Sequence, residues 1–174
     1  MAATATVQEA NGAGPTYTDI TTARFATMDS YNPGTSNPIP VPAAGTNYSY
    51  VKTFRLKFTG TYTQITNVNI YTDGGGFGTG ITTNIGNETG VAYTQATGTQ
   101  GTSGTLITTL YSGLITGVTD IFTYTSASQK TIDSTTITGN PAYSKVFMCQ
   151  MYVGTTASAG TLSAETFTWQ YDEI

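Results

Sequence analysis

Residues 50–73 carry the clearest hydrophobic pattern in the chain. In Tyr50-Val51-Lys52-Thr53-Phe54-Arg55-Leu56-Lys57-Phe58, the even positions from Phe54 onward are large and apolar, while Thr53, Arg55 and Lys57 are polar. That period of two belongs to a half-buried strand, so Phe54, Leu56 and Phe58 are predicted to face a core. After Thr59-Gly60-Thr61 turns the chain, residues 64–71 form a second run, with Val68 and Ile70 alternating against Asn67, Asn69 and Tyr71. The two runs are predicted to pair as a central antiparallel hairpin with one dry face.

Elsewhere the pattern is shorter and more often interrupted. Residues 17–27 read as a strand with Ile20 and Phe25 as its apolar points and a bend or bulge between them. Strand candidates at residues 91–95, 105–110, 121–125 and 130–138 are separated by glycines or by Gly139-Asn140-Pro141, a turn about every ten residues, as in sandwiches and jelly rolls. Residues 144–153 are apolar on both faces, which predicts a central strand whose outer face is covered by the N-terminal arm or by a neighbouring subunit. In the last run Phe167, Trp169 and Tyr171 alternate with Thr168 and Gln170, so the C-terminal strand is expected to belong to the sheet. No stretch of ten residues carries a helical apolar stripe. The predicted fold is all-β, an antiparallel β-sandwich of jelly-roll-like form spanning residues 50–174, preceded by an extended N-terminal arm over residues 1–49 that contains one short strand.

The arm is written in turn residues. Pro38, Pro40 and Pro42 fall at every second position, which favours extended backbone and withholds the N–H groups that a central strand needs. Such a segment is expected to lie ordered on the surface only where something ties it down, and a partner surface is the expected tie.

Composition strengthens the β assignment and removes chemistry. Charged residues make up 9% of the 174, and threonine, the commonest residue, favours extended backbone. A net charge of −4 without a Lys/Arg cluster argues against nucleic-acid binding. Lys52, Arg55 and Lys57 are expected to share one solvated strand face. There is no histidine, so His-based triads, metal sites and the usual general base near neutral pH are all missing. The ten acids lie singly in turns and strand ends, apart from Asp172-Glu173, and are expected to be solvated rather than to form a catalytic pair. Asp73-Gly74-Gly75-Gly76-Phe77-Gly78-Thr79-Gly80 is as glycine-dense as a phosphate loop but lacks the lysine and the following helix, so it is expected to be a plain loop; weak calcium binding by Asp73 or glycan contact through Tyr71 and Phe77 stay open. Cys149, the only cysteine, is expected to be a buried small hydrophobe in a chain assembled in a reducing compartment. No secretory signal and no membrane-spanning apolar run is seen, so the product is expected to begin in a cytoplasm. No catalytic, cofactor-binding or metal-ligating residue is predicted.

Residues 17–25, the turn segment Asn32-Pro33-Gly34-Thr35-Ser36-Asn37-Pro38-Ile39-Pro40, and the runs 48–58 and 65–72 together resemble structural proteins of tailed bacteriophage virions; the aromatic residues 167–173 are similar too. The resemblance implies a repeated β-sandwich subunit, foremost a decoration (cement) protein on the capsid exterior. It also implies a homo-oligomer, a trimer, clamped to the major capsid protein by extended arms, made in the host cytoplasm and without a catalytic motif. The alternatives are a tail or baseplate protein of the virion, or a carbohydrate-binding β-sandwich that stacks sugars on Trp169 or exposed tyrosines.

Overall fold

The computed structural model describes residues 2–86, 88 and 90–174. Among these the strands are β1 Ala3–Asn11, β2 Thr16–Ile20, β3 Thr46–Tyr48, β4 Lys52–Gly60, β5 Ile65–Tyr71, β6 Ile81–Gly86, β7 Gly98–Thr99, β8 Ser103–Gly104, β9 Val118–Asp120, β10 Lys130–Asp133, β11 Ala142–Tyr143, β12 Phe147–Gly154 and β13 Thr168–Glu173. Helix is confined to single turns, α1 at Ile107–Leu110 and a 3-10 turn at Ile121–Thr123. The larger sheet runs β2-β1-β4-β12-β6-β9, with β11 beside the far half of β4 and β3 beside the far half of β12; the smaller runs β10-β5-β13, and β7 pairs with β8 alone. Every ladder between these strands is antiparallel. The fold is an all-β sandwich.

The two sheets meet through the predicted apolar positions. Phe54, Leu56 and Phe58 of β4, with Phe147 and Cys149 of β12 and Ile85 of β6, pack against Ile65, Val68 and Ile70 of β5 and Ile132 of β10, and each is no more than 2% exposed. Burying residues of this size contributes about 1.5–3 kcal/mol apiece. Ile65 and Val68 share a face although one is odd and the other even, because a bulge intervenes: Asn67 sits in the left-handed region (φ +52°), and the β13 register slips between Gln170 and Asp172 opposite it. The C-terminal aromatics close the core as expected. Trp169 packs edge-on against Phe147 with ring centres 5.0 Å apart, Tyr171 against Phe58 at 5.0 Å, and Phe167 against Phe122 at 6.0 Å.

The hairpin predicted for residues 50–71 is not formed. β4 and β5 lie in opposite sheets and face each other across the core, so the link at residues 61–64 is an arch between layers. Gly60 ends β4 at φ +100°, and the Tyr62 hydroxyl donates to the Gly139 carbonyl at 2.6 Å, steering the chain over the rim. Both runs are apolar on one face, and facing each other dries both, whereas side-by-side pairing would leave the shared face needing a third element.

β12 is covered on both faces, as its sequence predicts, but its own chain supplies the cover. Met148 packs under Tyr50, Val51, Ala96, Ile107, Tyr111 and Ile115 in a second core. Gln150, fully buried on that face, fastens the excursion: its Nε2 donates to the carbonyls of Ser49 (2.6 Å) and Thr105 (2.8 Å), and its Oε1 accepts from Ile107 N–H (2.8 Å). The predicted strand at residues 105–110 is instead the short turn α1, residues 121–123 form the 3-10 turn, and residues 91–95 are coil.

The N-terminal segment is less of an arm than its composition predicts. Residues 3–20 form a β1–β2 hairpin built into the larger sheet, with β1 flanking β4 along its length, so only about residues 21–45 are extended coil. Its ends are tied by the chain itself: Ala3 N–H donates to Glu173 Oε2 at 2.9 Å, and Ile174 exchanges backbone bonds with Gln64. No partner surface is needed to hold them.

Candidate functional site

Six strands of the larger sheet lie abreast, whereas the smaller sheet has three, so the inner face of the larger sheet extends past β13 without a facing strand. Three coil segments take the place of the missing strands: residues 21–26, the proline-rich residues 33–41, and residues 158–167 after β12. They leave between them a groove of about 940 Å³. Its floor is the inner face of the sheet, Val7, Phe54, Phe147, Met151, Val153 and Ile81, and Phe77, Phe167 and Trp169 flank it. Ile39 and Val41 face it from the proline segment and Leu162 from the third wall. A volume of this size, mostly apolar, lies at the upper end of the range of small-molecule and cofactor pockets.

Each wall is placed by few bonds. Asn37, in the left-handed region at φ +53°, offers its carbonyl to Thr27 N–H at 2.8 Å and to the Thr27 hydroxyl at 2.9 Å, and Asn47 Nδ2 holds the Pro40 carbonyl at 2.8 Å. Among the described residues, no backbone-to-backbone hydrogen bond is made by residues 158–167. β13 borders the groove as the edge of its sheet, paired with β5 on one side only. Arg24, exposed, and Glu165 bring the only charges to the lining, and Arg24 has no carboxylate partner among the described residues.

At the neighbouring end of the core the chain buries charge. Alternation places Lys52 with Phe54, not with Arg55, so the expectation of one face bearing Lys52, Arg55 and Lys57 fails: Lys52 points inward and is 1% exposed. Its Nζ meets Glu9 Oε1 at 2.6 Å and the Ser30 carbonyl at 2.6 Å, and Glu9 is wholly buried. Asn11 Nδ2 donates to Glu9 Oε1 (3.2 Å) and Asp29 Oδ1 (2.8 Å), while Asp29 Oδ2 accepts from Gly12 N–H and Gln95 Nε2. Burial raises the Glu9 pKa, and the Lys52 ammonium partly opposes that rise. Two of the acids expected to be solvated are therefore interior: Glu9, and Asp133, which binds Lys145 N–H at 2.8 Å and caps the turn at Thr135.

The other residues weighed from sequence are scattered. Asp73 accepts from Gly75 N–H at 2.8 Å within its own turn, and no group of three or more metal-ligating side chains converges among the described residues. Phe77 packs against Phe122 at 5.6 Å and Tyr71 ends β5. Cys149 lies fully buried in the core, where desolvation pushes its thiol pKa up. The groove itself had no signal in the sequence, because its walls carry no periodicity and its floor is shared with the core. No family model, curated protein or solved structure matches the chain.

Proposed function

We propose that the protein is a non-enzymatic structural component of a bacteriophage virion, a homo-oligomeric decoration protein that stabilises the capsid exterior by contacts with the major capsid protein. The observation that carries this reading is the groove: an apolar trough bordered by a strand edge and walled by extended coil, of which residues 158–167 make no backbone-to-backbone hydrogen bond among the described residues. An extended segment of a neighbouring subunit laid in the trough gains apolar burial from the floor and main-chain bonds from β13, the mode of strand addition. Many such contacts repeated over a lattice add by multivalency, so each can be individually weak. Trp169 is partly buried and packs edge-on against Phe147 at the border of the core, which weakens the glycan-binding alternative by taking up part of its best stacking platform.

The test is made on purified particles. Particles lacking the protein are expected to burst at lower temperature, to regain robustness when it is added back, and to carry hundreds of copies when complete. A variant with Ala164→Arg, a groove-lining position, is expected to fold yet to bind particles poorly. Particles equally robust without the protein, or a handful of copies at one vertex, would sink the assignment to capsid decoration.

A further inference from the structure

On the opposite face of the larger sheet the outward positions of four strands assemble a second feature. The Arg55 guanidinium of β4 lies between two phenol rings, its Cζ 3.4 Å from the ring centre of Tyr17 on β2 and 3.9 Å from that of Tyr143 on β11. Its Nε donates to Oε1 of Gln8, the residue opposite it on β1, at 2.9 Å. Gln8 is 5% exposed and is fixed at its other end, where Nε2 donates to Asp19 Oδ1 at 2.7 Å; Asp19 Oδ2 faces Lys57 Nζ at 3.5 Å. The guanidinium is therefore held in one orientation with both faces covered, and desolvation lowers its pKa. Its terminal nitrogens have no acceptor among the described residues, and Arg55 keeps partial exposure.

A fixed guanidinium with a bare edge matches the two oxygens of a carboxylate, which it binds as a fork with two parallel hydrogen bonds. We infer that Tyr17, Arg55 and Tyr143 form a carboxylate-binding site that takes an Asp or Glu side chain of a partner protein. The charges around it support that choice. Asp19, the nearby acid, is engaged by Gln8 and Lys57, so the patch of Arg55, Lys57 and Asp19 carries one net positive charge on a chain of net charge −4. One such charge suits a single carboxylate, whereas a nucleic-acid backbone requires a row of bases. A sugar acid would also stack on an open aromatic face, but the facing surfaces of both rings are already filled by the guanidinium. The site lies apart from the groove and does not depend on its reading.

The experiment is a titration of the full chain, followed by NMR or calorimetry at low salt, with hexaglutamate peptide, trigalacturonate and inorganic phosphate as probes. Hexaglutamate is expected to bind, to lose about tenfold in affinity with Arg55→Lys, which keeps the charge and loses the fork, and to lose a similar factor with Tyr143→Ser. Both variants are expected to keep the wild-type far-UV spectrum and a cooperative melt, Arg55→Lys at a slightly lower temperature because it gives up the bond to Gln8. Equal binding by Arg55→Lys would reduce the effect to diffuse charge and overturn the site. Preference for trigalacturonate would move it to sugar acids and for phosphate to simple anions, and no binding of any probe would remove it; each of these overturns the inference.

Discussion

Replacing Lys52 by Met tests the least expected feature of the core. Glu9 is wholly buried, its Oε2 has no hydrogen-bond partner among the described residues, and its Oε1 keeps only Asn11 once the 2.6 Å contact with Lys52 is removed. The Ser30 carbonyl loses its partner in the same change. Breaking one side of a buried pair costs about 3–5 kcal/mol, a large share of the roughly 5–15 kcal/mol that holds a domain together. Urea unfolding with linear extrapolation measures the loss. The paired change Glu9→Leu with Lys52→Met removes both charges, so it is expected to be more stable than Lys52→Met alone, and the double-mutant cycle gives the coupling. Acidity adds a signature. A carboxyl whose folded pKa is raised favours the folded state below its unfolded pKa and loses that contribution as pH rises through the folded value. Without Lys52 to oppose it, the rise is larger, so Lys52→Met is expected to recover stability on acidification from neutral pH, a recovery that Glu9→Leu/Lys52→Met lacks. A loss below about 1 kcal/mol, within the range of a surface pair, would refute the buried-pair reasoning.

Three further outcomes follow from the packing. Deleting residues 167–174 removes Phe167, Trp169 and Tyr171 with the whole of β13; at about 1.5 kcal/mol or more for each half-buried ring the loss rivals the total stability, and the truncated chain is expected to show no cooperative thermal transition by circular dichroism. Gly80→Ala would place a Cβ 2.5 Å from the Ala157 amide nitrogen at φ +76°, so it is expected to cost about 1–3 kcal/mol, whereas Gly113→Ala, equally left-handed but with open space around it, is expected to cost less; denaturant midpoints rank them. Cys149 is expected to resist thiol reagents in the folded protein and to react at the rate of unfolding, so labelling that is fast under native conditions would contradict its burial.

What could be read in advance follows the strength of alternation. β4 and β13 were legible because Phe54, Leu56, Phe58, Phe167, Trp169 and Tyr171 are large and regularly spaced. β12 was legible as doubly covered, though its cover was not, because residues 91–118 bury Ile107, Tyr111 and Ile115 from turns rather than from a periodic element. β1 was hidden: its core-facing positions are Ala3, Val7 and Glu9, small or charged, and only pairing with β4 brings them against the core. The arch after β4 was hidden as well, since a short link with one glycine serves a hairpin or a crossing equally and the choice is made by the strands on either side. Lys52 shows the same limit in one residue: parity puts it inside, but only the approach of Glu9 from β1 makes that position tolerable.

The order of strands in the larger sheet sets a constraint on synthesis. β1 waits for β4, β4 for β12, and β6 also pairs with β12, so the middle of the sheet stays open until residue 154 has left the ribosome. Loop-closure entropy of that kind makes folding slow and leaves nascent chains with bare strand borders. The polypeptide is thus expected to acquire its shape only once β12 has emerged, with the yield of native material rising in cells as chaperone capacity is raised.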